Sequence, residues 1–258
     1  MPKYFSKFPI TTYDFEGNNN KRFVRDLYRA VKAYSAVDEF VGYTKYDILD
    51  GERPDQTSQR IYDTPDYWWT FFMINESLSN GLVDWPKGGN ELKEYIDLKY
   101  PGTVITFFRD SGDATLDDHF VRDNFIAGED LKDTGDNIIG RVASVDPIMN
   151  RIFVDSFTTA LTSDNYPTLV TGVGNKSIVA NENYSWSVED EKLAAHHYTD
   201  ANGDEVQRLY FADNGDGLTE VTNREYEEDL NDSKRAISVI RPGYIAEFAK
   251  GYERLLNA

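Results

Sequence analysis

The segment Asp50-Gly51-Glu52-Arg53-Pro54-Asp55 constrains the fold more than any other. A turn there runs into a helix with proline at its first position and an acid in its first turn. Proline costs nothing at that position, because its missing N–H would have had no helical partner, and the acid complements the positive helix end. The spacing predicts a helix to about Tyr62, closed by Asp63 in the left-handed conformation. Thr64-Pro65-Asp66 repeats the pattern of cap, proline and acid. It opens a second helix through Trp68, Trp69, Phe72 and Met73 to about Asn75. After Asp84-Trp85-Pro86-Lys87-Gly88-Gly89, Asn90 caps a third helix, ELKEYIDLKY, which Pro101-Gly102 ends.

Upstream, FVGYTKYDIL at 40–49 is β-branched and aromatic and reads as a strand. Residues 21–34 place Phe23, Leu27, Val31 and Tyr34 at helical spacing; they also alternate, and the reading adopted is helix. Beyond Gly102 the periodicity changes. TVITFF, HFVRDNFI, NIIGRVASV, NRIFVDSF, NYSWSV, HHYTD and EVQRLYF are short β-rich runs between Gly, Asn and Asp clusters, which predicts a sandwich or small barrel. Asn202-Gly203 marks a tight hairpin turn. Residues 213–235 are polar and acidic and read as surface. A strand, AISVI, then leads through Arg241-Pro242-Gly243 to an amphipathic helix bearing Tyr244, Ile245, Phe248, Tyr252, Leu255 and Leu256. The expected class is α+β. The expected segments are an arm with a short element over 1–40, a helical module over 41–102, a β-rich insertion over 103–235, and a strand with a helix over 236–258.

Charge limits the partners. The chain has 258 residues, with 27 Lys and Arg against 45 Asp and Glu, a formal net charge of −18. Nucleic-acid binding draws most of its affinity from cations that neutralise phosphates, and an anionic membrane repels such a surface in the same way. Neither is an expected partner. Aromatic residues at 14% argue for a packed chain rather than disorder. Cysteine is absent, which removes disulfides, thiolate nucleophiles and Cys-ligated metals. No apolar run reaches the length of a signal peptide or a membrane span, so a soluble, unexported chain is expected.

No catalytic constellation emerges from the residues. There are three histidines, His119, His196 and His197. Adjacent residues on a strand point to opposite faces, so the pair is not expected to share a ligand, and no zinc motif is present. Asp110-Ser111-Gly112 lacks the flanking glycines of a serine-nucleophile turn. Gly172 to Ser177 lacks the glycine before lysine that a phosphate loop requires. The acidic loops at 200–205 and 213–220 fail EF-hand spacing. The expectation is a protein that is not an enzyme and holds neither cofactor nor metal.

The stretch 43–100 resembles a LysM-like module: a strand, two short helices separated by a tight turn, and a returning segment around Trp85-Pro86. The wording DGERPD, YDTPDYWW, Asn75, DWP and YIDLKYPG is similar, more narrowly, to the LysM-containing baseplate wedge protein of T-even-type contractile-tailed bacteriophages. Tyr4-Phe5, Phe8-Pro9 and Tyr13 match that family's N-terminal arm, and Ile237 to Pro242 its closing strand. Thr57, Ser58 and Asp63 depart from it; the family has an apolar and a small residue at the first two positions and Gly at the third.

The resemblance implies a structural role. Such a protein clamps neighbouring wedge proteins together during assembly and contraction, beside the sheath-initiating wedge subunit. It is present in multiple copies per virion, in a tail baseplate assembled in the host cytoplasm. The implied groove or partner contact comprises Asp50, Gly51, Glu52, Arg53, Pro54, Trp68, Trp69, Asn75, Trp85 and Pro86. The implied assembly contacts are Phe8, Tyr13, Tyr244, Phe248 and Tyr252. An alternative implication is a peptidoglycan-binding module, specific for N-acetylglucosamine polymers, of a cell-wall or lysis protein. The residues add one argument of their own. Side chains of successive helical residues are about 100° apart, so Tyr67, Trp68 and Trp69 cannot all face one core, and one is exposed unless something covers it.

Overall fold

The strand Ala236–Ile240 lies antiparallel to Tyr43–Asp47, with Ile237 opposite Tyr46 and Val239 opposite Thr44, so the two ends of the sequence meet in one small sheet. The computed structural model describes residues 8–15, 17, 21–26, 42–108, 120–133, 135–155, 168–170, 177–179, 185–206 and 218–256. In chain order the elements are β1 (Ile10–Tyr13), β2 (Arg22–Arg25), β3 (Tyr43–Asp47), α1 (Pro54–Tyr62), α2 (Trp69–Ile74), α3 (Gly89–Lys99), β4 (Thr103–Phe108), α4 (Phe120–Asn124), β5 (Asp130–Lys132), β6 (Ile138–Asp146), β7 (Arg151–Asp155), β8 (Thr168–Val170), β9 (Ser177–Val179), β10 (Ser185–Asp190), β11 (Ala195–Thr199), β12 (Glu205–Val206), β13 (Thr219–Thr222), α5 (Asn223–Ser233), β14 (Ala236–Ile240) and α6 (Pro242–Leu256). The fold is mixed α+β. Two units pack separately, residues 1–92 with 229–258, and residues 93–228, and the division falls within α3 and α5.

In the first unit, α1 begins at Pro54 and ends where Asp63 adopts φ 58°. Asp is tolerated there because its short polar side chain lessens the left-handed penalty. The Thr64 hydroxyl accepts from the Asp66 N–H, and a short 3-10 turn over Pro65–Tyr67 precedes α2. Thr57 and Ser58, the polar departures in α1, are fully buried. Their hydroxyls stay satisfied, because Thr57 donates to Arg53 O, and Ser58 donates to Thr64 O while accepting from Tyr67 N–H. The core joins Ile48, Tyr62, Phe71, Ile74, Leu78 and Trp85 to Ile237, Val239, Ile240 and Ile245. Four successive residues of β14, Ile237 to Ile240, are buried, as in a strand covered on both faces. The Tyr62 hydroxyl donates to Ile240 O at 2.8 Å, and burial pushes that phenol up from its ordinary range.

Two expectations are corrected in this unit. The segment around Trp85-Pro86 does not return as a strand; a 3-10 turn over Gly81–Val83 leads into it, and β14 supplies the strand that pairs with β3. Arg22–Arg25, read as part of a helix over 21–34, is a strand paired with Ile10–Tyr13. Cross-strand pairing overrides its helical spacing; residues 27–41 lie outside the described residues.

The second unit holds a seven-stranded antiparallel sheet in the order β10-β4-β7-β6-β5-β8-β9 and a three-stranded sheet in the order β12-β11-β13. Its core packs Ile105, Phe107, Leu131, Val142, Ile152, Val154 and Trp186 of the sheet against Val121 of α4 and Phe125 just after it. HFVRDNFI, expected as a strand, therefore contains a short helix, with Val121 and Phe125 one turn apart. Residues 223–233 are also helical, and Asn223, Glu227 and Asn231 are buried, which corrects their reading as surface. Their i, i+4 spacing is a polar stripe, and polar residues at that spacing can be buried when each finds a partner.

Candidate functional site

The loops on either side of the two helices in the first unit meet. Glu52 is buried, and its carboxylate accepts from Tyr46 OH, Leu49 N–H and Arg60 Nε at 2.9–3.1 Å. Burial and then this carboxylate push the Tyr46 phenol up to about 12. Gly51 takes φ 67°, which lets the chain reverse between Asp50 and Glu52. The Glu52 carbonyl accepts from the Trp85 indole Nε1–H at 2.7 Å, and the bond is buried. Asp50 Oδ1 accepts from Gly89 N–H and from Arg235. A Cβ on Gly88 would lie 3.0 Å from Gly51 Cα, so glycine permits this approach.

Of the groove residues that the sequence singles out, Glu52, Pro54, Trp69, Trp85 and Pro86 are buried, and Trp68 and Asn75 are partly so. Trp85 sits against Phe71 and Phe72, with ring centroids 6.0 and 5.7 Å away. Asp50, Gly51 and Arg53 remain exposed. Residues that the sequence reading missed flank this region: Leu49, Leu82 and Val83 expose half or more of their surface. The available signal was an apolar pair, Leu82-Val83, inside a loop bounded by Asn80-Gly81 and Asp84. Asp84 itself accepts from Asn80 N–H and Lys234, which hold its carboxyl below the usual range.

None of the aromatic run is exposed: Tyr67 lies in the 3-10 turn before α2, and the rest of the chain covers all three residues to different degrees. Trp69 is buried against Tyr252, Phe248, Ala249 and Phe8, stacking on Tyr252 at 4.9 Å. Tyr67 and Trp68 are half-buried and pack against both this cluster and the main core. Thus Phe8, Phe248 and Tyr252, named as assembly contacts, pack within this unit around Trp69, while Tyr13 and Tyr244 are exposed.

In the second unit His196 and His197 do not point apart. The register slips between Ala195 and His197 opposite β13, and this bulge turns both rings to one side. Their Nδ1 atoms lie 2.9 Å apart, and the His196 ring stacks on Tyr226 at 3.8 Å. Burial, and then the neighbouring His197, hold the His196 imidazole below its ordinary value. Among the described residues no group of three His, Cys, Asp or Glu side chains converges to hold a metal ion. In the Asp200 turn the carboxylate is occupied by Asn202 and Asp204 N–H groups, which lower it. His119, Asp110 to Gly112, Gly172 to Lys176 and residues 207–217 lie outside the described residues. No protein-family model matches the chain, and no curated protein matches it.

Proposed function

We propose that this chain is a structural subunit of a contractile phage tail baseplate wedge. It clamps neighbouring wedge proteins, including the sheath-initiating subunit, through a LysM-like β3-α1-α2-β14 module, its N-terminal arm and α6. The observation that carries the reading is the Trp85 to Glu52 bond. A LysM glycan groove lies between the loop after the first strand and the loop after the second helix; here the buried Trp85 indole bonds one loop to the other. The exposed Leu49, Leu82 and Val83 beside it suit a protein surface better than a sugar chain. The net charge of −18 steers docking onto basic partner surfaces.

Immunogold electron microscopy of a lysate from the producing culture tests this. Gold confined to tail ends at the baseplate is expected. Gold on cell-wall fragments with unlabelled tails would overturn the reading in favour of peptidoglycan binding, and retention of the purified protein on insoluble peptidoglycan would agree with that result.

A further inference from the structure

The chain holds three Asn-Gly pairs, at 80–81, 202–203 and 214–215, and the last lies outside the described residues. In such a pair the glycine nitrogen can attack the asparagine side chain, because no Cβ on the glycine hinders the approach. This reaction is one reason why asparagine is a thermolabile residue. Asn80 and Asn202 are both exposed, and both glycines take positive φ, 69° at Gly81 and 86° at Gly203. Exposure and glycine conformation therefore do not separate the two sites. Hydrogen bonding does.

In the Asn202 turn, Gly203 N–H donates to Asp200 O at 3.0 Å, so the attacking nitrogen is tied to the backbone. Asn202 Nδ2 donates to Asp200 Oδ2 at 3.1 Å, and Asp200 Oδ1 accepts from the N–H groups of Asn202 and Asp204. Around Asn80 the carboxylate of Asp84 plays a similar part. Its Oδ2 accepts from Asn80 N–H at 2.8 Å, and it also bonds the Asn80 side chain. Gly81 N–H, however, has no hydrogen-bond acceptor among the described residues. The leaving amide is thus held at both sites, and the attacking nitrogen at one only. Asn80 stands at ψ 14°, so its neighbour's nitrogen must swing toward Cγ. The same movement at Gly203 breaks the bond to Asp200; at Gly81 it breaks none made by that nitrogen.

We propose that Asn80 is a site of spontaneous covalent modification, converting to aspartate and isoaspartate, while the Asp200 clasp keeps Asn202 in its original form. Solvent base removes the Gly81 N–H proton, the nitrogen bonds to Asn80 Cγ, and the Cγ–Nδ2 bond breaks. The amide leaves as ammonia, with its protons supplied by water, and a cyclic succinimide remains. Water then adds to one of the two ring carbonyls. Opening at Cγ gives aspartate; opening at the main-chain carbonyl gives isoaspartate, whose backbone is a methylene longer. No oxidant or reductant takes part. Either product adds a carboxylate two residues before Leu82, so the exposed Leu82-Val83 edge changes as the protein ages.

Peptide mapping by mass spectrometry tests this on the purified full chain, incubated at mildly alkaline pH and physiological temperature, with and without concentrated urea. Enzymatic methylation of isoaspartyl carboxyls identifies the rearranged product. In the folded protein Asn80 should convert about fivefold faster than Asn202 or more, the factor that one hydrogen bond of ordinary strength gives. In urea the two rates should draw together. Asp200→Ala removes the three bonds that its carboxylate accepts in the exposed turn, and should speed conversion of Asn202. Conversion of Asn202 as fast as Asn80 in the folded chain, or no conversion at Asn80, would overturn the proposal. So would an unchanged ratio in urea, which would assign the difference to local sequence, or an unchanged Asn202 rate in the Asp200 variant. The chemistry needs no partner, so either result leaves the wedge reading where it stands.

Discussion

The Asn75 carboxamide clasps the backbone of Ser238 from both sides: Oδ1 accepts from Ser238 N–H at 2.8 Å and Nδ2 donates to Ser238 O at 3.0 Å. Nδ2 also donates to Phe71 O at the end of α2. One side chain thereby fixes the helix end to a strand far along the sequence.

Asn75→Asp tests the clasp. The change keeps the acceptor toward Ser238 N–H and replaces the donor with an oxygen facing two carbonyls. A buried carbonyl that loses its donor costs about 1–3 kcal/mol, so the variant should lose at least that much in denaturant unfolding. Asn75→Ala should lose less, because it leaves groups unpaired without adding repulsion. Equal losses would show that Nδ2 contributes little.

Truncation before Pro242 should destabilise the first unit rather than merely remove a surface. It deletes Ile245 from the main core and Ala249 and Tyr252 from the cluster around Trp69. Removal of a buried aromatic alone costs about 3–5 kcal/mol, so Tyr252→Ala should lower the melting temperature clearly, and the truncation more so. An unchanged melting transition in the truncated chain would show that α6 is not part of this fold.

Trp85→Phe separates packing from bonding at the loop junction. Phenylalanine keeps most of the contact with Phe71 and Phe72 but leaves Glu52 O without its indole donor, a loss of about 1–3 kcal/mol. The variant should fold with reduced stability and faster hydrogen exchange over residues 49–53. Exchange there at the wild-type rate would mean that the loops hold without the bond.

The helical module was the most legible part of the fold, because its signals are local. Pro54 and Pro65 open their helices, and Asp63 closes α1 with positive φ. What the sequence hid depends on distance along the chain. Nothing near Tyr43–Asp47 indicates that its partner strand is Ala236–Ile240. Nor does local spacing show that Glu227 finds Lys99 and Tyr100, which lets an acidic helix bury that face. The histidine pair misled for a different reason: strand alternation is a sound rule, and a single extra residue cancels it.

That bulge gives the second unit a testable response to acid. His196 faces His197 on its own strand, Tyr226 and Glu227 of α5, Glu205 of β12 and Arg151 of β7. Burial first, then His197, hold its imidazole below the ordinary value, while Glu205 and Glu227 oppose the shift. The folded state therefore binds a proton less readily than the unfolded chain. The stability conferred by neutral His196 is present above about pH 6.5, the unfolded value. It is lost as pH falls through the depressed folded value, because the unfolded state takes up the proton first. Thermal unfolding followed from about pH 7.5 down to about pH 5 spans the range where imidazoles titrate, and comparison with a His196 variant separates this group from the other two histidines. The melting temperature of the second unit should fall across that window, and His196→Gln should flatten the dependence. A wild-type profile as flat as that of the variant would show that the proton-poor histidine does not contribute to stability.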